Sequence, residues 1–468
     1  MSPRAPADVL SGREAACDAV LAAARGQGYA RDVIASLRGA GRLAARESAF
    51  ATEAALGTMR RLVTIDHVLG AVAQIDARRT PEVVRAILRV ATCQAIWLDR
   101  TPVFAAVDEA VSLARRRAGR GPARLVNAVL RRLSGAIEQR RAPWQRGDPC
   151  CVRVDWDRAC RFRAPVLPSP DDDPAQHVAA AAGESPEHYR RLTASFGAAQ
   201  AEAIAWARQA TPPLVLHRNP QVLSGEQFYA AIAAQFAPDA EWGMDTAFAR
   251  RAAPAAESDL LATGGAWAQD VAAREAAELV AARPGERVLD LCAAPGGKTI
   301  ALATRMRNAG ELIACDVAAA RLSKLAENVA RLRLTIVKPA LIPVDGLPEA
   351  LVPGEFDAVL VDAPCSNSGV FARRPEARLR LDVNRLAPLL ELQRALLERG
   401  AARVRSGGRL VYSTCSLEPE ENESRVAAFL KRASGWKLEA ADTFLPSWGP
   451  NLSDYRDGGF AARLRRAR

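Results

Sequence analysis

The sequence predicts a multidomain chain: an all-α amino-terminal region, a small α+β region, and a doubly wound α/β domain at the carboxyl end. Three observations lead there. Up to about residue 140, apolar residues recur at helical spacing and never alternate. "RVLDL" (Arg287 to Leu291) runs through a glycine turn into "TIALATRM" (Thr299 to Met306), the strand–turn–helix opening of an α/β sheet. Three later apolar runs each stop at a residue type that does chemistry, namely Asp345, Asp362 and Thr414-Cys415.

In the helical region, "VVRAILRVATCQAIWL" places Val84, Ile87, Leu88, Ala91, Ala95 and Leu98 on one face. "TPVFAAVDEAVSLA" opens with Thr101 as N-cap and Pro102 at the first helical position. From Arg115 to Arg146 stand ten arginines against one acid, Glu138. They flank an apolar stripe of Leu125, Val129, Leu133 and Ile137, so one side can pack while the other meets phosphates. The candidate nucleic-acid contacts are Arg115, Arg116, Arg117, Arg120, Arg124, Arg131 and Arg132. A net charge of +11 also favours a polyanionic partner.

No apolar run is long enough to span a membrane, and "MSPRAPADVL" has no signal-peptide core, so a cytoplasmic location is expected. A monomer is the expected state. Nine scattered cysteines in so long a chain read as reduced thiols. Residues 142–185, rich in proline and charge, read as a linker or insertion between a helical domain at 1–141 and the rest. Cys150, Cys151 and Cys160 lie there without a CxxC pair, and no metal site is expected. Residues 186–269 form the small α+β region, with a strand at "PPLVLHRNP" and a helix capped by Ser224. The α/β domain fills 270–468.

Its first turn, "CAAPGGKT" (Cys292 to Thr299), ends like a Walker A loop. That loop needs a glycine five residues before Gly297, and the residue there is Cys292. About 18 residues on, "ELIACD" ends in Asp316, the spacing of a carboxylate that accepts from ribose hydroxyls. The turn therefore binds a nucleoside without a lysine-clamped triphosphate.

"FDAVLVDAPCSNSGV" leads into Asp362-Ala-Pro-Cys365, and "GGRLVYSTCSLEPEENE" into Thr414-Cys415-Ser416. A lone cysteine is most often core filler. Two cysteines, each ending a long strand beside a nucleoside site, suit nucleophilic catalysis. Carbon 5 of cytosine is a poor nucleophile until a thiolate adds at carbon 6. Methylation of exocyclic amines instead uses a [DN]-P-P-[FY] clamp, and here the segment reads Asp-Ala-Pro-Cys.

"LDLCAAPGGKT", "DAPCSNSGV" and "YSTCSLEPEENE", in that order, resemble the S-adenosylmethionine-dependent RNA cytosine-C5 methyltransferases of the NOL1/NOP2/Sun family. The helical region ending in "LVNAVLRRL" is similar to the NusB-like domain of the bacterial RsmB/Sun-type ribosomal RNA enzymes. The resemblance implies a Rossmann-like class I methyltransferase domain using S-adenosylmethionine, with 16S ribosomal RNA as the expected substrate. It places the methionine moiety on Cys292, Ala293, Ala294, Pro295, Gly296, Gly297 and Lys298, the ribose on Asp316, the adenine side on Asp345, and the sulfonium and target base near Asp362. It makes Cys415 the nucleophile and Cys365 the thiol that assists product release.

The chain departs from the family pattern in three places. It has Leu216-His217-Arg218-Asn219 for Leu-Arg-Val-Asn, Ala372-Arg373 for a pair of arginines, and an unusual 142–185 stretch. These bear on substrate choice. The alternatives are the same chemistry on transfer RNA or another ribosomal RNA, or a non-catalytic NusB-like assembly factor. A DNA cytosine methyltransferase fits less well, since its nucleophile belongs to the Pro-Cys motif.

Overall fold

The computed structural model describes residues 9–99, 101–236, 238–243, 245–250, 259–382 and 386–468. The first eight residues, part of the stretch read for a signal peptide, lie outside them. The chain divides into two compact units, Met1–Thr211 with Phe371–Arg380, and Pro212–Val370 with Leu381–Arg468.

The first unit opens with seven helices: α1 (Gly12–Ala24), α2 (Ala30–Gly39), α3 (Ala45–Arg60), α4 (Leu62–Ala73), α5 (Glu82–Trp97), α6 (Val103–Ala118) and α7 (Arg120–Ala136). In α5 the expected face is the buried one from Val84 to Ala95, while Leu98 is half-buried just past the helix end. Helix α6 starts one residue later than expected: Pro102 takes the N-cap position and Thr101 precedes it. On α7 the core face is Ala123, Val126, Val129, Leu130 and Leu133. Leu125, expected in the stripe, is 40% exposed, and Ile137 already belongs to the next strand.

Residues 137–185 are folded, not a plain connection. Strands β1 (Ile137–Pro143), β2 (Cys151–Arg153) and β3 (Arg158–Phe162) form an antiparallel sheet in the order β1-β3-β2. The Arg153 guanidinium lies 3.8 Å from the Trp144 ring centroid and donates to the carbonyls of Asp155 and Trp156. Aromatic faces and carbonyls thus replace the water its charge loses on burial. Cys151 and Cys160 are buried in these strands, and burial pushes the Cys160 thiol up to about 12. Helices α8 (Pro174–Ala181), α9 (Pro186–Phe196) and α10 (Ala198–Ala207) complete the unit. Asp173 and Ser185 cap α8 and α9 through the amides of Gln176 and His188, each ahead of a proline at the first turn. Helices α9 and α10, assigned from sequence to the α+β region, therefore belong to this unit.

The second unit begins with β4 (Leu214–Arg218), α11 (Gly225–Phe236), β5 (Ala240–Gly243), β6 (Thr246–Ala249), α12 (Asp259–Ala262) and β7 (Ala266–Ala268). The four strands make an antiparallel sheet in the order β5-β6-β4-β7. Ser224 and Gln227 exchange side-chain to backbone bonds of 3.2 and 2.9 Å ahead of α11, a capping box.

The α/β sheet follows: α13 (Val271–Glu278), β8 (Arg287–Leu291), α14 (Gly297–Arg305), β9 (Glu311–Asp316), α15 (Ala319–Arg331), β10 (Val337–Leu341) and β11 (Phe356–Asp362). After the short α16 (Ala377–Arg380) come α17 (Ala387–Ala402), β12 (Val404–Thr414), α18 (Glu423–Arg432), β13 (Trp436–Phe444) and β14 (Gly459–Arg466). The order is β10-β9-β8-β11-β12-β14-β13; the first five strands are parallel, and β14 runs antiparallel between β12 and β13. Strands β8, β11 and β12 read as continuous apolar runs because helices cover both faces.

The segment Phe371–Arg380, which carries α16, packs with the first unit. Its Arg378 meets the fully buried Glu184 at 3.0 Å, beside Arg208 at 3.3 Å and His188 at 3.1 Å. Burial opposes ionisation, but Arg378 and Arg208 outweigh it and hold Glu184 well below the usual carboxylate range. Among the described residues no helix is long and apolar enough to cross a membrane.

Candidate active site

Parallel strands deliver their carboxyl ends to one rim, and the chain order reverses between β8 and β11. The 292–298 turn follows β8, Asp316 ends β9, Asp362 ends β11, and Cys415 follows β12. Register confirms the grouping: Val361 pairs with Leu291, and Asp362 with Ser413. Asp345 lies past β10, exposed in the loop.

Gly296 carries φ +111°, a backbone conformation that favours glycine, and a β-carbon there would crowd Leu325 Cγ at 3.2 Å. Asp316 is buried; its Oδ2 accepts from Ala294 N at 3.3 Å, and its Oδ1 from Ala318 N and Arg321 Nη2 at 2.9 Å each. The carboxylate that ends β9 therefore fixes the turn that ends β8.

The two thiols, 50 residues apart in sequence, meet with sulfurs 3.1 Å apart. Cys415 Sγ also lies 3.3 Å from Asn367 Oδ1, and Asn367 Nδ2 donates to the Cys365 carbonyl at 2.9 Å, which orients the amide. The hydrogen bond to Cys415, and burial after it, push the Cys365 thiol well above its ordinary value. Lys298 Nζ donates to Asp362 Oδ1 at 2.8 Å, and Ser413 Oγ donates to the same oxygen at 2.9 Å. Although burial works against its charge, Asp362 holds Lys298 above its usual value, and the Cys415 side chain is close enough to act on it.

A family model for the 16S rRNA methyltransferases RsmB/F matches residues 277–449, and one for the NusB family matches residues 11–135. The "Probable ribosomal RNA small subunit methyltransferase B" of Synechocystis sp. is 30% identical over 441 residues, 89% of this chain and 91% of that protein. The chain belongs to the RsmB/F methyltransferase family. The ribosomal RNA small subunit methyltransferase B of Pseudomonas putida is also 30% identical, over 83% of this chain and 82% of its own. The crystal structure of PH0851, at 22% identity and a TM-score of 0.70, covers 98% of this chain and 99% of its own and shares the fold.

As an RsmB/F methyltransferase the protein takes S-adenosylmethionine as methyl donor. Two buried polar atoms next to the turn could help hold such a cofactor. Asp290 is fully buried; its Oδ2 accepts from Thr299 Oγ1 at 2.6 Å, and its Oδ1 has no partner among the described residues. Burial pushes its carboxyl up to about 7. Gln269 has the opposite gap. Its Oε1 accepts from Trp267 Nε1 at 3.1 Å, while Nε2 is buried, unpartnered among the described residues, and 3.6 Å from where a β-carbon on Gly297 would stand. One open acceptor and one open donor match the ammonium and carboxylate of a zwitterionic amino acid. Neither Asp290 nor Gln269 was singled out from sequence, where a strand acid and a loop amide carry no signal of orphaned atoms.

In this methyltransferase the seven candidate RNA-contact arginines are all exposed, yet not equally available. Arg117 pairs with Asp18 at 3.2 Å, Arg116 with Glu14 at 3.3 Å, and Arg131 Nε donates to Asn127 Oδ1 at 3.1 Å. Arg115, Arg120, Arg124 and Arg132 have no ion pair among the described residues. His217, one of the departures from the family pattern, is buried: its ring meets Thr246 Oγ1 at 3.0 Å and the Gln269 carbonyl at 3.1 Å. Ala372 is also buried, and its carbonyl accepts from Arg60 Nε at 2.6 Å.

Proposed function

We propose that the protein methylates carbon 5 of a cytosine in RNA, with 16S ribosomal RNA as the substrate, in the cytoplasm. The contact between Cys365 and Cys415 at the strand ends carries this reading. Methyl transfer to an exocyclic amine has no use for two thiols in contact beside a lysine–aspartate pair.

Cys415 is the nucleophile. Its sulfur bonds to C6 of the base, and the C5=C6 electron pair attacks the methyl group. S-adenosylmethionine supplies that methyl as a sulfonium and leaves as the thioether. Loss of the C5 proton to a base re-forms C5=C6 and expels the Cys415 thiolate. Cys365 assists this release. Asp362, held by Lys298 and Ser413, accepts from the exocyclic amine of the base in this reading. The turn from Cys292 to Lys298 holds the methionine end of the cofactor, Asp316 the ribose and Asp345 the adenine side. To receive the ribose diol, Asp316 exchanges its bond to Arg321.

In this reading residues 270–468, apart from the Phe371–Arg380 segment, form the catalytic domain, and residues 1–141 bind RNA. A pocket for one unstacked cytosine cannot select a long RNA unaided, so affinity comes from a separate basic surface. Bisulfite sequencing of total RNA from cells with and without the gene tests this. One protected cytosine in small-subunit ribosomal RNA should lose protection. A lost site in transfer RNA would move the substrate, and no lost site anywhere would leave a non-catalytic NusB-like factor.

A further inference from the structure

One buried carboxylate holds both cysteine loops. Glu421 is fully buried, and its two oxygens accept four hydrogen bonds. Oε1 accepts from Ser366 N and from Gln393 Nε2, each at 2.9 Å. Oε2 accepts from Ser366 Oγ at 2.5 Å and from Ser416 Oγ. Ser366 follows Cys365 and Ser416 follows Cys415, so three of the four donors are one residue from a thiol.

The bracket is itself anchored. Tyr412 Oη donates to the Glu421 carbonyl at 2.8 Å. The neighbouring Asn422 accepts from Thr414 Oγ1 at 2.6 Å and donates to the Ser416 carbonyl at 2.9 Å. Gln393 Nε2 also reaches the Pro364 carbonyl at 2.9 Å, just before Cys365. Burying a charge is costly, and an apolar filler serves a core equally well. Only an acceptor with two oxygens and about four lone-pair sites can take both serines and the Ser366 amide together.

We propose that Glu421 is a positioning residue that ties the Ser366 and Ser416 loops together and so sets the contact between Cys365 and Cys415. Its charge also acts on Cys365, adding to the causes that raise that thiol above its ordinary value. The proposal rests on the cysteine roles given above, but its geometric part does not depend on them.

The test uses the full-length protein and two variants, Glu421→Gln and the double variant Ser366→Ala/Ser416→Ala. Alkylation of Cys365 and Cys415 by iodoacetamide is followed against pH by peptide mass spectrometry, alongside kcat and S-adenosylmethionine affinity. The double variant should keep cofactor affinity within about twofold and lose about 100-fold in kcat, the scale of a misplacement of about 1 Å. Glutamine keeps the shape and loses the charge, so Glu421→Gln should retain more activity than the double variant while Cys365 alkylates at lower pH. Unchanged kcat and unchanged alkylation profiles in both variants would overturn the proposal. So would a kcat loss matched by lost cofactor affinity, which marks a collapsed site. Should Cys415→Ser retain turnover, the covalent reading fails, yet the alkylation shift of Glu421→Gln still reports on the bracket.

Discussion

Lys298 Nζ lies 2.8 Å from Asp362 Oδ1, joining the glycine turn after β8 to the end of β11. Lys298 is a half-buried cation that pairs with Asp362 and feels the Cys415 side chain. Removing it leaves Asp362 uncompensated and withdraws the positive charge that favours a thiolate nearby. Lys298→Met should lower kcat about 100-fold and slow Cys415 alkylation at neutral pH, with S-adenosylmethionine affinity changed far less. Wild-type alkylation rates would show that the cation serves only packing.

Cys415→Ser should abolish turnover, because an alcohol is a far weaker nucleophile toward carbon 6. Cys365→Ser should allow addition and slow release, so a covalent protein–RNA adduct accumulates on denaturing gels. An adduct that appears with Cys415→Ser instead would reverse the two roles.

Calorimetry should show S-adenosylmethionine binding and no ATP binding, since the turn lacks the first P-loop glycine. Asp316→Ala should weaken binding. Asp290 sits near half-protonation at neutral pH, and an ammonium beside it favours the carboxylate. Binding at pH 7 should then release up to about half a proton, read from the dependence of the heat on buffer ionisation enthalpy. An Asp290→Asn variant should lose that release; identical heats in all buffers would remove Asp290 from the cofactor site.

The ion pairs of Arg116 and Arg117 shift the expected RNA contacts toward Arg115, Arg120, Arg124 and Arg132. Replacing these four by alanine should weaken RNA binding uniformly across sequences. It should also flatten the salt dependence by up to about three units of log–log slope, at about 0.7–0.9 per phosphate contact. A filter-binding titration with unchanged slope would make them a solvated face.

His217 links pH to stability. Its Nδ1 accepts from Arg274 at 2.8 Å and from Thr246, leaving Nε2–H to donate to the Gln269 carbonyl. Burial, then Arg274, push its pKa down to about 4, against 6.5 when unfolded. Below pH 6.5 the unfolded chain takes up a proton that the folded one refuses. The contribution is full above pH 6.5 and is lost as pH falls toward 4, at most about 3 kcal/mol. Urea unfolding at pH 7 and pH 5 should show a steeper loss in wild type than in His217→Gln.

The amino-acid sequence by itself determined the helical face of α5, the apolar strands of the α/β sheet, the glycine turn and the residues that end β9, β11 and β12. These are local or periodic signals, and parallel strands send their ends to one rim whatever the loops do. Only the tertiary structure decided the rest. Strands β1, β2 and β3 are too short and too broken by proline and charge to show a period, and they exist because they pair with one another. That His217 is covered by Trp267 and Arg274 shows only in the packed structure. The open atoms of Asp290 and Gln269, and the four bonds to Glu421, join residues up to 55 positions apart or depend on what fails to reach them. Hydrogen-bond saturation belongs to packed neighbours, so no stretch of sequence carries it.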